Sequence, residues 1–201
     1  MSKNDDCCGG SKKVEIDICD LILCGAKLGK AACKCKKCCP GVQASGSTTQ
    51  VLEGPNTANV VVLDTIDLIA DVEAVEDNGF KVGCDGVYFI MAAPQVGSTP
   101  QGPARNFRCW IRVNGVDAPN SNVLLNLLAN GQTKDVIISQ GAYALKKGDV
   151  VQVIAATDAG GTGPGDVLLE AIQPSPNEPL VPSCIFTMVW ECPLPKTHRE
   201  D

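Results

Sequence analysis

Short apolar segments, separated by turn-forming dipeptides, recur along most of this chain and constrain its fold more than any other feature. The dipeptides are Asn-Gly, Asp-Gly, Gly-Asp and Gly-Gly pairs, which tolerate the positive φ angles of tight turns. The apolar segments are strand-length, and so the pattern predicts an all-β fold, a two-sheet sandwich. They are Val60–Leu63, Val87–Ala92, Phe107–Val113, Val123–Leu128, Asp135–Ile138, Val150–Ala155, Val167–Ile172 and Ile185–Trp190.

Two of these segments, Val87–Met91 and Ile185–Trp190, are largely apolar at both alternating sets of positions. A sheet with one face in water alternates apolar with polar residues, so a sheet that is apolar on both faces must be covered twice. We interpret one cover as the core and the other as a sister subunit; the alternative is a few ordinary exposed apolar side chains. The predicted subunit interface consists of Tyr88, Ile90, Phe186, Met188 and Trp190.

Cysteine divides the chain into regions of different character. Eight of the 12 cysteines fall in the first 39 residues, at Cys7, Cys8, Cys19, Cys24, Cys33, Cys35, Cys38 and Cys39. The small, polar residues after Pro40 are typical of a linker. The sequence therefore predicts a cysteine-rich N-terminal connector arm (1–40), a flexible linker (41–56), a β head (57–192) and a C-terminal tail (193–201).

The arm cysteines are predicted to cross-link subunits through disulfides. Adjacent cysteines have Cα atoms about 3.8 Å apart, which is below the roughly 4.4–6.8 Å of unstrained disulfides. Cys7 and Cys8 should therefore bond elsewhere, and so should Cys38 and Cys39. The spacing within residues 33–39 leaves two alternatives open, a thiolate cage for zinc or copper and free thiols.

Four cysteines lie in the predicted head. Cys109, Ile111 and Val113 alternate along a predicted strand, so their side chains point to the same face. Because Ile111 and Val113 are apolar, this predicts a buried thiol. Cys84, at a turn, and Cys184 and Cys192, flanking the last apolar segment, could pair with one another or with an incoming arm. The sequence leaves their connectivity open.

Charge and composition exclude several classes of partner. The formal net charge is −6, with the basic residues concentrated in the arm and the acidic ones in the head. An acidic head does not suit nucleic acid, and no apolar run approaches the roughly 20 residues that span a bilayer.

The stretch Met1–Cys8 lacks the apolar segment of a secretory signal. We therefore expect synthesis in a cytosol and later oxidation, for example after a mother cell lyses around a spore.

No constellation of residues points to catalysis. A hydrolase nucleophile needs a base, and the single histidine, His198, is the fourth residue from the end of the chain. The glycine-rich stretch 159–165 lacks the Lys-Ser/Thr ending of a phosphate-binding loop. The acid pairs Asp64/Asp67 and Asp71/Glu73 are interpreted as solvated strand ends. We expect no enzyme activity and no cofactor.

Four motifs resemble the jelly-roll heads of the complement first-component and tumour necrosis factor superfamily. They occur in the family order within residues 57–191, and their order and spacing together carry the resemblance. They are Asn78–Val82 followed by Asp85–Phe89, Trp110–Gly115, Leu145–Val151 and Pro182–Met188.

This resemblance implies a two-sheet jelly roll that assembles as a compact trimer. Similar bacterial heads cap collagen-like filaments on the spore exosporium, but this chain has no Gly-X-Y repeat, which excludes a collagen stalk. A cysteine-bearing connector joined to such a head resembles the endospore appendage proteins of Bacillus-type bacteria. The expected function is a structural subunit of a disulfide-cross-linked fibre or coat on a spore or cell surface.

The expected partners are further copies of the chain, as homotrimers stacked into a filament or lattice, together with an anchoring protein on the spore or cell surface. Neither nucleic acid nor a membrane is expected as a partner. The alternative function is a trimeric recognition module that binds a protein or glycan through the loops of the head.

Overall fold

The structure is a computed structural model that describes residues 40–99, 102–129, 134–163 and 165–194. The cross-linking cysteines predicted in the arm lie outside the described residues. So does the Asn130-Gly131 turn.

Fifteen strands form two antiparallel sheets in the described part of the chain. The first sheet contains β1 (Gly41–Ser45), β2 (Gln50–Val51), β4 (Thr65–Ala70), β7 (Gly86–Ser98), β11 (Lys134–Val136), β12 (Ser139–Leu145), β14 (Val167–Leu169) and β15 (Cys184–Cys192). The second sheet contains β3 (Asn59–Val60), β5 (Val72–Val75), β6 (Gly79–Val82), β8 (Arg105–Val113), β9 (Val116–Asp117), β10 (Val123–Leu127) and β13 (Val150–Thr157).

The long strand β7 organises the first sheet. One edge of β7 pairs with β12 and β11, and the other with β15 and β14, so that Phe89 lies between Ala142 and Val189. Strand β1 pairs with β15 on one side and with β4 on the other. In the second sheet the order is β10-β8-β13-β6-β5. Because consecutive strands cross repeatedly between the sheets, the arrangement is the predicted all-β jelly roll, and the fold prediction is confirmed.

The core lies between the two sheets and is built from the inward-facing residues of both. Phe80 of β6 stacks on Phe186 of β15 with ring centroids 5.1 Å apart and planes 7° from parallel. Tyr88, Phe107 and Ile111 are fully buried in the same cluster.

No helix in the described part of the chain is long and apolar enough to cross a membrane.

The flexible linker predicted at 41–56 is wrong, since β1 and β2 lie within it. Val42 and Ala44 are buried in the core while Gln43 is exposed. This is the alternation of a strand with one covered face. The small side chains that suggested a linker are instead the side chains of a strand packed between β15 and β4.

Several of the predicted turns adopt the positive φ angles that the dipeptides allow. Asn114 and Gly115 have φ values of 51° and 78° and close the β8–β9 hairpin. Asn78 and Gly148 also lie at positive φ, at 52° and 93°.

Candidate assembly surface

The residues predicted to form the subunit interface do not lie on the surface of the subunit. Tyr88, Ile90, Phe186 and Met188 are all 0% exposed and belong to the core, so this part of the prediction is wrong. Both faces of these strands are apolar, as the sequence indicated. The odd-numbered residues, however, face outward, and the even-numbered residues face the core. The fifth residue, Trp190, is partly exposed at the end of β15.

The outward-facing residues of the central strands form an apolar surface, which we call the outer-face patch. Its side chains are partly exposed, and Ile185 is 37% exposed. Cross-strand pairing places Phe89 beside Val189 and Ala93 beside Ile185, so the patch is continuous across β7 and β15. Its members are Val87, Phe89, Met91, Ala93, Ile185 and Val189.

The outward positions directly flanking the patch carry no charged side chain, and Glu191 of β15 and Asp67 of β4, which lines a surface pocket with Gln43 and Ile185, lie at its borders. The outward positions flanking the patch are Gln140, Ala142 and Ala144 on β12, Gln95 on β7, Thr187 on β15, and Gln43 and Ser45 on β1. The uncharged area ends beyond Gln95, where an ion pair between Lys134 and Glu170 at 2.9 Å lies beside Gly97.

The second sheet has a different outer surface. Three ion pairs lie there: Lys81–Glu73 at 3.0 Å, Arg108–Asp158 at 3.2 Å and Arg112–Asp117 at 2.7 Å. Hydrogen bonding to Arg112 holds the pKa of the Asp117 carboxyl below its ordinary value. The two outer faces of the sandwich therefore differ, since the second sheet carries three ion pairs whereas the centre of the first sheet is apolar and uncharged.

The described chain begins at the end of the sandwich where β15 finishes. The carbonyl oxygen of Pro40 accepts a hydrogen bond from the backbone N–H of Trp190 at 2.9 Å. Two residues further on, Cys192 is exposed at the end of the strand. The arm therefore joins the head beside Cys192.

The head cysteines differ sharply in accessibility. Cys109 and Cys184 are 0% exposed, and burial raises the pKa of the Cys184 thiol to about 12 and that of Cys109 well above its ordinary value. The prediction of a buried Cys109 is confirmed. Cys184 is placed wrongly among the candidate cross-links, because a buried thiol with a raised pKa cannot meet another chain.

Cys84 is half-buried at the same end of the sandwich as Cys192. Its carbonyl oxygen accepts a hydrogen bond from the Tyr88 hydroxyl at 2.8 Å, and burial of that phenol raises the pKa of Tyr88. Among the described cysteines, Cys192 is the most exposed. No group of three or more His, Cys, Asp or Glu residues that could hold a metal occurs within the described ranges.

A hydrogen-bonded turn links the second and third sequence motifs. Asn114 donates its side-chain amide to Asp149 Oδ1 at 2.8 Å and accepts the Val150 N–H at its own Oδ1, also at 2.8 Å. The second carboxylate oxygen of Asp149 accepts the Lys146 N–H at 2.8 Å. These residues therefore join the β8–β9 turn to the start of β13, which is a structural role.

No protein-family model matches the sequence. No curated protein matches it at a significant level. Among solved structures, the globular domain of the zebrafish complement 1qA protein is similar, with 14% identity over 76% of this chain and 96% of that chain and a TM-score of 0.44. At this level of similarity the fold assignment rests on the strand order described above.

Proposed function

We propose that the protein is a non-enzymatic structural subunit that associates through the outer-face patch and is cross-linked to its neighbours through the N-terminal arm. The observation that carries the proposal is the contrast between the two outer faces. Isolated subunits rarely leave a continuous apolar sheet face in water, and a face without charge is suited to burial because no ion must be desolvated.

The assembly proposed for this face is a homotrimer. The number of subunits follows from the resemblance of the sequence motifs to trimeric jelly-roll heads. Small, unbranched residues such as Ala142 and Ala144 on β12 would allow a neighbouring sheet to approach closely, while Phe89 and Met91 supply apolar area. A rotationally symmetric trimer would bring the three arms to one end, because each arm leaves its head beside Cys192.

The cysteines of the arm then support a larger assembly. Bonds from one trimer to the next are heterologous contacts, which grow into filaments when they do not close into a ring. We propose the outer surface of a spore or cell as the place, since disulfides persist in an oxidising environment. Such cross-links would make the fibre or coat resistant to heat and sensitive to reductant, because a subunit cannot leave while a bridge remains.

Electron microscopy of the purified full-length protein after air oxidation tests this proposal. We expect fibres or a lattice, with ladders of high-mass species on non-reducing gels that collapse to a single band with reductant. Deleting residues 1–39 should abolish the ladder and leave discrete trimers by native mass spectrometry. Discrete trimers from the oxidised full-length chain would favour the recognition module, and monomers at micromolar concentration would contradict both functions.

A further inference from the structure

We propose that an open, acidic edge of the head is a docking surface for the lysine-rich segment 27–37 of the arm of the same chain. The edge consists of residues 64–77, which include β4 and β5, and we call it the acidic edge. The contact concerns the reduced protein before any cross-link forms. It is therefore separate from the outer-face patch and from the fibre proposed above.

The acidic edge is a side of the sandwich where both sheets end. Strand β4 is the last strand of the first sheet and β5 is the last strand of the second, and Asp71 joins them with a φ of 47°. Every residue of β4 is exposed, and the side chains of Ile66, Leu68 and Ile69 are 42%, 44% and 42% exposed. Beyond β4, the described part of the chain supplies no further strand. Such an edge, with apolar side chains and free backbone groups, favours the packing of another segment.

The charge of this edge decides which segment it suits. Lys81 forms an ion pair with Glu73 at 3.0 Å, and Lys81 and Lys147 line a surface pocket together with Asp71 and Glu73. Two lysines balance only part of the acidic charge, and like charges held close together repel one another. A cationic segment on this edge therefore lowers the electrostatic free energy. Residues 64–77 contain no basic residue and six acidic ones, namely Asp64, Asp67, Asp71, Glu73, Glu76 and Asp77.

Residues 27–37 of the arm have the complementary composition. A lysine carries an apolar stem beneath its ammonium group, so it suits a strand in which Asp67 is flanked in sequence by the exposed Ile66 and Leu68. On the outer face of the second sheet, in contrast, Asp117 and Asp158 are each already paired with an arginine. The segment contains no acidic residue and five lysines, which are Lys27, Lys30, Lys34, Lys36 and Lys37.

The arm leaves the head beside this edge. Gly41, the first residue of β1, lies opposite Ala70, the last residue of β4, and Asp71 follows Ala70 directly. Three residues separate Lys37 from Gly41. Segment 27–37 can span up to about 36 Å, whereas a strand of the length of β4 spans about 20 Å. Because a short tether gives an effective concentration in the millimolar range, the arm of the same chain is favoured over that of another.

Zero-length cross-linking of the reduced full-length protein tests the contact. A carbodiimide joins a lysine amine to a carboxylate only where the two groups touch. At about 10 mM salt, where the Debye length is about 30 Å, we expect amide links from segment 27–37 to Asp67, Asp71 or Glu73, found by mass spectrometry after proteolysis. In about 1 M sodium chloride, where the Debye length is about 3 Å, the yield should fall at least about threefold.

Paired variants identify the surface on the head. Asp67→Asn combined with Glu73→Gln removes two exposed carboxylates, and the yield of links to Asp71 should fall about threefold, as expected for the loss of two exposed ion pairs. The matched control is Asp135→Asn combined with Glu178→Gln, which removes two exposed acids elsewhere on the head. We expect this control to leave the yield unchanged.

A second pair of variants identifies the segment of the arm. Lys36→Gln combined with Lys37→Gln should lower the yield of links from the remaining lysines of segment 27–37. Lys12→Gln combined with Lys13→Gln removes the same charge from another part of the arm and should not. Equal losses in either variant and its matched control would overturn the proposal.

Isotope mixing shows whether the contact lies within one chain. Unlabelled and ¹⁵N-labelled full-length proteins are unfolded together in reductant, refolded as a mixture and then cross-linked. We expect each linked pair of peptides to be either all light or all heavy. Mixed-label pairs, or no link between segment 27–37 and the acidic edge, would each overturn the proposal. Fibre formation on later oxidation does not enter this readout, so the two proposals fail independently.

Discussion

The indole nitrogen of Trp190 donates a hydrogen bond to the carbonyl oxygen of Asp85 at 3.2 Å, and this bond fixes the ring across the start of β7. A Cβ atom added to Gly86 would lie 1.9 Å from that nitrogen. Gly86 is therefore required for close approach of a side chain, and not for a positive φ angle.

Gly86→Ala should lower the free energy of unfolding by about 1–3 kcal/mol, the usual cost of forcing an extra methyl group into a packed site. Urea unfolding of the reduced protein measures the loss. The double variant with Trp190→Ala supplies the control, because removing the ring removes the clash. If the two effects simply add, the steric explanation fails.

Ile90→Asp and Met91→Asp should have different consequences although the residues are adjacent. Ile90 is 0% exposed in the core, so a carboxylate there has no partner and should cost more than about 3 kcal/mol or prevent folding. Met91 lies in the outer-face patch, and its replacement should leave the fold intact and prevent association. Circular dichroism and native mass spectrometry separate the two outcomes.

A matched control for Met91→Asp is Leu124→Asp on the other sheet. Leu124 is 66% exposed and lies opposite Arg108, so a new carboxylate there meets water and a cation. We expect trimers to survive this change. Equal loss of association in both variants would contradict the assignment of the patch.

The buried thiol of Cys184 should make the protein less stable at alkaline pH. Its pKa rises to about 12 in the fold because burial disfavours the thiolate, against an ordinary value of 9.0. The stabilisation from the neutral thiol is complete below pH 9 and is lost as the pH rises toward 12, since the unfolded chain gives up the proton first.

Cys184→Ala should remove this part of the pH dependence. Between pH 8 and pH 10.5 in reductant, the original chain should lose about 2 kcal/mol more than the variant does, the equivalent of roughly 1.5 pKa units. Urea unfolding at the two pH values provides the comparison. Parallel losses in the two proteins would show that the Cys184 thiol does not titrate differently in the folded and unfolded states.

The Asn114–Asp149 hydrogen bond should couple the two turns that it joins. Asp149→Ala removes the acceptor of both Asn114 and the Lys146 N–H, and we expect a loss of about 1–2 kcal/mol because the site is partly exposed. Asn114→Ala should cost more, because alanine adopts the positive φ of 51° at this turn less readily than asparagine. A double-mutant cycle by thermal unfolding should show a smaller combined loss than the sum, and strict additivity would contradict the coupling.

Strand periodicity and turn dipeptides were enough to predict the two-sheet fold. The segments around Phe107–Val113 and Val150–Ala155 form the central strands β8 and β13. Long segments in which apolar residues alternate are typical of strands that pack one face on a core. The edge strand β4 was missed. Its residues Thr65–Ala70 are exposed on both faces, so the burial that produces a clear period-two pattern is absent.

The sequence showed that both faces of β7 and β15 are apolar, but the residues predicted to face outward were wrong by one position along each strand. Two apolar faces on one strand are indistinguishable in sequence, because periodicity gives the alternation and not its direction. What decides the direction is the opposite sheet, where Phe80 stacks on Phe186 and thereby fixes the even-numbered residues of β15 as the inward set. A contact between strands more than one hundred residues apart leaves no local signal.

The absence of charge on the outer-face patch and its flanking positions also determines how subunit association should respond to conditions. Ionic screening acts on charges, so sodium chloride should change the dissociation constant of the assembled heads very little. Apolar burial weakens on cooling and strengthens in sulfate, so cold buffer should loosen the heads and ammonium sulfate should tighten them. A surface fibre joined in this way would keep its head-to-head contacts in both fresh water and brine.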